Sequence, residues 1–263
     1  MTANAAPGPV GLTVKGAVAY IEVQRASRHN AIDVETAKAY LECCREVDNN
    51  DSVRAVVLCG QGASFGVGGD LTEFKFDAPR SARKIIGPLH EAVSILVSLD
   101  APVIAKVRGN VAGGSMSLVL ACDLAMASAN TKFNFAYTNL GTSADLGGSW
   151  HLPHIVGLRS AMQIALLNEA IDAERARELG IVNKVVPEDE LDAEVERLAQ
   201  RLASGPTKAM GRMKRQLRQA LSNGLHGQLN AEAISFVESA KTKDFQEAVD
   251  AILGKRTPRF VGA

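Results

Sequence analysis

Two glycine-rich turns are the first features of this sequence that could support chemistry. The segment 66–69 (Gly-Val-Gly-Gly) and the pair Gly113-Gly114 each follow an apolar run. Glycine at such a turn lets a ligand approach backbone N–H groups, and a following helix adds a partial positive charge there. The spacing matches neither G-x-G-x-x-G nor G-x-x-x-x-G-K-[ST], so nucleotide phosphates are not the predicted ligand. On spacing alone, turns that require positive φ explain these glycines equally well.

Three other side chains are candidates for chemistry, and each has a structural alternative. Asp145 stands in a D-x-G-G run, where it either reacts or caps the following helix. His90 borders the apolar stripe of a predicted helix, so an ordinary half-buried histidine competes with a catalytic one. Tyr137 alternates with two phenylalanines, a pattern that suits either a core aromatic on a strand or a hydrogen-bond donor.

A longer pattern surrounds the second turn. The run Pro102-Val-Ile-Ala-Lys-Val-Arg-Gly-Asn-Val-Ala-Gly-Gly, followed by Leu-Ala-Cys-Asp at 120–123, closely resembles the signature of the crotonase (enoyl-CoA hydratase/isomerase) family. The segment 64–71 resembles that family's first oxyanion loop, and 173–187 resembles its A-x-x-A-x-x-x-G-[IL]-V-N-x-V-V-P segment. The resemblance covers most of the chain.

This resemblance implies an oxyanion hole for an acyl-CoA thioester. In the family two backbone N–H groups hold the thioester oxygen, and the matching positions here are Gly69 and Gly114. Such donors stabilise the negative charge that develops on this oxygen when a proton α to the thioester is removed.

The departures from the family pattern concern its acid and base groups. Hydratases of the family carry two glutamates, and the matching positions here hold Ser117 and Tyr137. Isomerase branches similar to the ring-epoxide isomerases place an aspartate, acting as base or nucleophile, where this chain has Asp145. One carboxylate suits an enoyl-CoA isomerase, which moves a proton between two carbons without using water. We expect apolar neighbours to raise the pKa of this base.

His90 matches a different branch of the family. In 4-chlorobenzoyl-CoA dehalogenases a histidine at this place activates water to hydrolyse an aspartyl ester. The sequence therefore leaves four alternatives to an isomerase: a hydratase, a dehalogenase, a CoA-ester hydrolase and a catalytically silent binding subunit.

The family resemblance also suggests residues that contact coenzyme A. Arg25 and Arg28 match basic positions near the phosphates or adenine, although surface arginines are common. Gly68 and Asp70 belong to the first oxyanion loop, and Lys255 lies in a carboxyl-terminal stretch that often contributes to the CoA site. Coenzyme A is then part of the substrate, and we expect no separate cofactor and no metal.

Composition excludes several other classes of partner. The 263 residues include 29 Lys and Arg against 29 Asp and Glu, so no net field favours nucleic acid. No apolar stretch approaches the roughly 20 residues that span a bilayer, and the segment 1–10 lacks the pattern of a signal peptide. Four cysteines show neither C-x-x-C spacing nor a neighbouring histidine. We expect a cytoplasmic protein.

The elements that must position these residues alternate in type. Strands are predicted at 12–14, 17–23, 53–59, 103–107, 124–127 and 182–186, and helices at 34–47, 81–98, 115–121, 188–202, 207–221 and 231–253. Alternation of this kind predicts an α/β fold. The resemblance implies a crotonase spiral of stacked ββα units over residues 1–203. It also implies a helical region over 204–263 that forms a homotrimer or a dimer of trimers.

Overall fold

The computed structural model describes residues 8–263, so residues 1–7 of the predicted core lie outside the described part. The strands are β1 (Val10–Lys15), β2 (Val18–Val23), β3 (Ala55–Gly60), β4 (Val103–Val107), β5 (Asn110–Ala112), β6 (Leu124–Ser128), β7 (Lys132–Asn134), β8 (Ile171–Asp172) and β9 (Lys184–Val186). The helices are α1 (Val34–Asp48), α2 (Phe74–Ser98), α3 (Gly114–Ala121), α4 (Gly148–Val156), α5 (Leu158–Leu167), α6 (Ala173–Glu178), α7 (Leu191–Ala203), α8 (Thr207–Gln219), α9 (Leu225–Ala240) and α10 (Lys243–Leu253). The predicted α/β class is confirmed.

The main sheet separates two layers of helices. Its six strands lie in the order β1-β2-β3-β4-β6-β9, and every pairing is parallel except that of β1 with β2. Alternate residues of a strand face opposite sides of a sheet. Val56 and Leu58 of β3 therefore pack with α1 and α2, whereas Ala55 and Val57 pack with α7. This two-sided burial explains why β3 is a continuous apolar run.

A second, smaller sheet carries the turns that matter for chemistry. Its strands lie in the order β5-β7-β8, and they contain only two or three residues each. Sequence patterning did not predict β5 or β8, because strands this short show no resolvable alternation. Phe133 of β7 is fully buried in a cluster that joins this sheet to α3, α4 and α5.

Two predicted helices differ from the structure. Helix α2 begins at Phe74 instead of residue 81, and Asp77 has non-helical angles that kink it. The Asp77 carboxylate accepts a hydrogen bond from the Arg80 N–H at 3.1 Å, which caps the main part of the helix. The predicted helix 231–253 is two helices, because Thr242 is extended and its hydroxyl caps α10 through the Phe245 N–H at 3.1 Å.

The carboxyl-terminal helices are tied to the core by a buried charge cluster. Asp123, just before β6, pairs with Lys214 at 2.7 Å and with Arg218 at 2.9 Å, both on α8. The Asp123 side chain is only 12% exposed. Its Oδ2 atom also accepts a hydrogen bond from the Val103 N–H of β4, at 2.8 Å. The division at residues 203 and 204 falls just after α7 and remains a prediction.

No helix within residues 8–263 combines the length and apolarity that a membrane crossing requires.

Asp123→Ala is expected to lower the free energy of unfolding by about 3 kcal/mol. The reason is that Lys214 and Arg218 keep their partly buried positions but lose the counter-charge between them. Urea unfolding at neutral pH measures the difference from the unsubstituted protein.

Asp192→Ala is the matched control, because Asp192 also pairs with two cations, Lys106 at 2.8 Å and Arg108 at 2.6 Å. The Asp192 side chain is 64% exposed, so its loss is expected to cost only about 0–1 kcal/mol. Equal losses in the two variants would contradict the assignment of Asp123 as the anchor of α8.

Candidate active site

The two glycine turns lie side by side because backbone hydrogen bonds join them. The Gly66 N–H donates to the Asn110 carbonyl at 3.2 Å, and the Ala112 N–H donates to the Gly66 carbonyl at 3.0 Å. The Ser115 hydroxyl on α3 then accepts the Gly68 N–H at 3.0 Å. These three bonds hold the loop after β3 against the loop between β5 and α3.

The N–H of Gly69 is aimed by a short parallel bridge to Ile32. The Ile32 N–H donates to the Gly68 carbonyl and the Asp70 N–H donates to the Ile32 carbonyl, both at 2.8 Å. In extended backbone, successive N–H groups point to opposite sides. The Gly69 N–H therefore points away from Ile32, and it has no hydrogen-bond acceptor within residues 8–263.

The N–H of Gly114 is free for a different reason. Gly114 is the first residue of α3, and the first N–H groups of a helix have no partner within the helix. Gly113 before it adopts φ +51° and ψ −127°, a conformation that favours glycine. Gly68 lies so close that a Cβ there would meet the Gly114 nitrogen at 3.2 Å. Close approach of the two turns therefore requires glycine at position 68.

Both turns open into one cleft of about 470 Å³. It is lined by glycines of both loops, by Arg28 and Asp70, and by the apolar or aromatic side chains of Leu71, Leu140 and Tyr137. The Phe74 ring of α2 stands next to Gly69, where an added Cβ would meet it at 3.1 Å. The cleft therefore places Gly69 and its unpaired N–H beside an apolar rim, whereas Gly114 and Asp145 are not among the described residues that line it.

Asp145 lies beside the second free N–H. A Cβ added at Gly114 would stand 3.6 Å from the Asp145 Oδ1 atom. The carboxylate is presented by a left-handed turn, with φ +50° at Leu146 and +76° at Gly147. Leu146 is fully buried, and a left-handed conformation at a non-glycine residue carries strain of about 1–3 kcal/mol. The surrounding contacts must hold this turn.

Two hydroxyl groups form a chain that ends on the Asp145 carboxylate. The Tyr137 hydroxyl donates to Asp145 Oδ1, and the Ser117 hydroxyl lies 2.8 Å from the Tyr137 oxygen. Because a phenol has one proton, a tyrosine that donates to Asp145 accepts from Ser117. Of the two alternatives for Tyr137, the hydrogen-bond donor is present and the side chain is also buried in the core, but it does not lie on a strand, since β7 ends at Asn134 and Ala136 has φ +54°. That reversal turns the Tyr137 ring toward Asp145.

Burial sets the protonation of this pair. Burial raises the pKa of the Asp145 carboxyl above its usual range, and the hydrogen bond from Tyr137 and the nearby His90 only partly oppose this. Burial, together with the neighbouring Asp145 charge, also raises the pKa of Tyr137 well above its usual range. Tyr137 thus remains a protonated donor at neutral pH, and Asp145 is a stronger base than an exposed aspartate.

His90 reaches the same turn from α2. Its Nε2 atom accepts the Leu146 N–H at 3.1 Å. A backbone N–H can only donate, so this contact uses the lone pair of Nε2. The expected half-buried histidine is wrong, since His90 is exposed in the single chain. The structure does bring it into the Asp145 turn.

The predicted CoA-contacting residues fall into separate places. Arg28 lines the cleft and makes no ion pair within residues 8–263, whereas Arg25 pairs with Asp33 at 2.7 Å and Asp70 at 3.3 Å. Lys255 is exposed just after α10 and is not among the described residues that line the cleft. Gly68 and Asp70 do line it.

Some residues that shape the site carried no sequence signal. Nothing in their spacing indicates that Ser115 holds Gly68, that Ile32 aims Gly69 or that Leu146 is left-handed. The flanking of Pro153 by His151 and His154 predicts two helix-surface histidines, but His151 is buried against Gly147, and burial lowers its pKa to about 4. Within residues 8–263, no group of three or more His, Cys, Asp or Glu side chains is arranged to hold a metal.

Comparison with known proteins adds a family and a fold. Residues 13–263 match the family described as enoyl-CoA hydratase/isomerase. The chain is 34% identical over 256 residues to the 1,2-epoxyphenylacetyl-CoA isomerase of Escherichia coli K12, covering 95% of this chain and 97% of that one. It is 33% identical to 4-chlorobenzoyl coenzyme A dehalogenase-2 of an Arthrobacter species, covering 88% and 85%.

A solved structure gives the same result for the fold. The crystal structure of an enoyl-CoA hydratase from Polaromonas sp. JS666 superposes with a TM-score of 0.90 at 33% identity, covering 95% of this chain and 99% of that one. The crotonase fold expected from the sequence is confirmed.

Asp145→Asn is expected to stabilise the protein at neutral pH. The folded-state pKa of Asp145 is raised above its unfolded value, so the ionised carboxyl costs folding free energy above that folded pKa. Below the unfolded value both states are protonated and the cost vanishes. Thermal unfolding should show a higher Tm for the variant at pH 7–8 and a difference that shrinks toward about pH 4.

Asp51→Asn controls for the loss of an exposed negative charge. Two results would contradict the raised pKa of Asp145. One is a Tm difference between Asp145→Asn and the unsubstituted protein that does not change with pH. The other is a Tm difference that is less favourable to the variant at pH 8 than at pH 4.

Proposed function

This chain belongs to the enoyl-CoA hydratase/isomerase family, and from that membership we propose that it is an acyl-CoA isomerase of the Δ3–Δ2 enoyl type. One observation carries the proposal. The two positions that hold glutamates in hydratases hold Ser117 and Tyr137, and their hydroxyls form a chain to a single carboxylate, Asp145, beside Gly114.

The proposed reaction begins with the thioester oxygen. The Gly69 and Gly114 N–H groups donate to this oxygen, which takes up the negative charge when a proton leaves C2 of a 3-enoyl-CoA. Asp145 removes that proton, and the resulting dienolate spreads its charge from the thioester to C4. The same carboxylic acid then returns the proton to C4, which leaves the double bond between C2 and C3. No atom is gained or lost.

The environment of Asp145 supports its proposed role as the base. A general base works best when its pKa lies near the working pH, and burial raises the pKa of this carboxyl. Tyr137 donates to Oδ1, and this bond restricts the rotamer of the carboxylate. The Oδ2 atom accepts no hydrogen bond within residues 8–263. The second oxygen is the one we assign to proton transfer.

Hydration is disfavoured by the same chain of hydroxyls. Adding water across a double bond requires one group to activate water and another to deliver a proton to carbon. Burial keeps Tyr137 neutral, and within residues 8–263 the Ser117 hydroxyl bonds to no base other than the tyrosine oxygen. Neither residue can replace an ionised glutamate.

Hydrolysis through an aspartyl ester is the second candidate, because His90 lies next to Asp145 in the structure and a dehalogenase is among the relatives. A histidine that activates water needs a free nitrogen lone pair. The Nε2 lone pair of His90 is occupied by the Leu146 N–H, which favours a role in holding the turn instead.

The remaining CoA contacts and the assembly are also proposals. Arg28 has the position and the free guanidinium to bind a phosphate at the cleft. We further propose that the protein forms a homotrimer or a dimer of trimers. In this assembly, Lys255 of one subunit reaches the acyl-CoA site of a neighbouring subunit. Exposed apolar side chains support an assembly; they are Met162, Leu166 and Leu167 on α5 and Leu225, Leu229, Ile234, Phe236 and Val237 on α9.

The purified protein is expected to convert a 3-enoyl-CoA into the conjugated 2-enoyl-CoA. The increase in ultraviolet absorbance of the conjugated thioester measures the rate. Asp145→Asn should lower kcat by about 10²- to 10⁴-fold, the usual contribution of a general base. His90→Gln, which retains an acceptor for the Leu146 N–H, should lose less than about tenfold. Asp192→Asn, on the surface, is the control for a lost carboxylate.

A different result would favour the alternatives. An acyl-enzyme that accumulates in His90→Gln, with ¹⁸O from labelled water appearing in Asp145 after one turnover of the unsubstituted protein, would replace isomerisation by hydrolysis. Hydration of 2-enoyl-CoA that survives in Asp145→Asn would indicate a hydratase. Binding of acyl-CoA without turnover of any enoyl-CoA would indicate a silent subunit.

Tyr137→Phe is expected to shift the acid limb of the pH profile of kcat/KM to higher pH. The tyrosine stabilises the ionised carboxylate, so its removal raises the pKa of Asp145, which must be ionised to act as a base. A hydrogen bond to a charged group contributes about 1.5–3 kcal/mol, so the shift is large enough to resolve. Ser117→Ala should shift the limb less, and an unmoved limb in Tyr137→Phe would contradict the assignment.

A further inference from the structure

Arg25 lies at the centre of a compact charge network behind the cleft. Its Nη2 atom lies 2.7 Å from Asp33 Oδ2 and 3.3 Å from Asp70 Oδ2, and its Nη1 donates to the Ala31 carbonyl. The Arg25 side chain is 18% exposed and that of Asp70 is 10% exposed. One guanidinium thus joins two segments that are far apart in sequence.

These two segments are the two sides of the bridge that aims Gly69. Ala31 and Asp33 flank Ile32, and Asp70 follows Gly69. The Ile32–Gly69 bridge itself consists of only two backbone hydrogen bonds, each of 2.8 Å. An isolated bridge of this kind has no neighbouring ladder to hold its register, so the guanidinium supplies the cross-link.

Both carboxylates in this network are already oriented by local caps. Asp33 Oδ1 accepts the Thr36 N–H at 2.8 Å at the start of α1, and Asp70 Oδ1 accepts the Thr72 N–H at 3.1 Å. Their Oδ2 atoms are left to face Arg25. The cross-link is therefore rigid at both ends, which is what the placement of an N–H donor requires.

We propose that Arg25 is a positioning residue that aims the Gly69 N–H at the thioester oxygen, and that it does not bind a phosphate of coenzyme A. The inference rests on the proposed thioester site, but not on which reaction follows there. It revises the expectation from the sequence, which grouped Arg25 with Arg28.

The charge around Arg25 argues against a phosphate ligand. A phosphate that approached this guanidinium would meet the Asp33 and Asp70 carboxylates, and like charges in close contact are costly. Within residues 8–263, Arg25 is also absent from the lining of the cleft, whereas Arg28 lines it. The two arginines, three residues apart, therefore serve different purposes.

Comparing two substrates of the same acyl group separates these purposes. One is the 3-enoyl-CoA and the other is the 3-enoyl thioester of pantetheine, which has no phosphate or adenosine. Arg25→Met should lower kcat/KM by about 10- to 100-fold on both substrates, with the loss mainly in kcat, because a displaced N–H affects the reacting centre. Arg28→Ala should lower kcat/KM on the CoA ester more than on the pantetheine ester.

Three further variants serve as checks. Arg25→Lys keeps one charge but not the forked geometry, so it should recover part of the loss. Asp33→Asn keeps the helix cap and weakens the ion pair, and it should show the same substrate-independent loss if Arg25→Met fails to fold. Arg175→Met removes a surface arginine whose ion pair is with Glu178, and it should behave as the unsubstituted protein.

A spectroscopic measurement makes the test independent of turnover. The frequency of the infrared carbonyl stretch of ¹³C-labelled hexanoyl-CoA should fall when the ligand binds to the unsubstituted protein, because two N–H groups polarise the thioester carbonyl. In Arg25→Met it should return toward its value in solution. If the unsubstituted protein shows this shift but does not isomerise 3-enoyl-CoA, the proposed function fails and the role of Arg25 is still tested.

Two outcomes would overturn the proposal. One is a loss in Arg25→Met that appears with the CoA ester and not with the pantetheine ester, which would make Arg25 a phosphate ligand. The other is an unchanged carbonyl stretch together with unchanged kcat in a folded Arg25→Met protein.

Discussion

Two backbone N–H groups from distant parts of the chain, those of Gly69 and Gly114, have no acceptor within residues 8–263 and lie close together, as the proposed thioester site requires. A buried N–H without an acceptor is unfavourable, so the fold has to supply each of them by construction. Gly69 is left free by the alternation of an extended segment, and Gly114 by its place at the start of a helix. The hydrogen bonds between Gly66 and β5, together with the bond from the Gly68 N–H to the Ser115 hydroxyl, hold the two N–H groups close to each other. The second sheet is small, but its strand β5 determines where the two glycine turns lie relative to each other.

The proposed chemistry depends on how few charges the site contains. The Tyr137 hydroxyl, itself in contact with the Ser117 hydroxyl, holds the Asp145 carboxylate. Burial of Asp145 raises its pKa, although the hydrogen bond from Tyr137 partly opposes this. The strained turn at Leu146 gains an acceptor from His90 on α2. A histidine that looked like a candidate base is thereby connected to the backbone that presents the proposed base.

Two charge networks connect distant parts of the chain through single side chains. Arg25 connects the loop before α1 with the residue after Gly69, and Asp123 connects the sheet with α8. In both cases a charged group with several hydrogen-bonding atoms joins segments that are far apart in sequence. Geometry near the proposed thioester site and attachment of the carboxyl-terminal helices thus depend on individual side chains as well as on the apolar core.

The sequence alone determined the fold class, the six strands of the main sheet, the helices α1, α3, α7 and α8 and the identity of the two glycine turns. It did not predict α4, α5 or α6. These features depend on local patterns such as the apolar run of β3, the helical spacing of α1 and the Gly113-Gly114 pair, and for that reason the sequence could predict them. Tertiary structure decided the rest. Short strands such as β5 carry no periodicity, the break at Thr242 replaces one helix by two, and Ala136 turns Tyr137 toward Asp145. The different surroundings of Arg25 and Arg28 could not be read from spacing, because the partners of an arginine are set by residues that only folding brings near it.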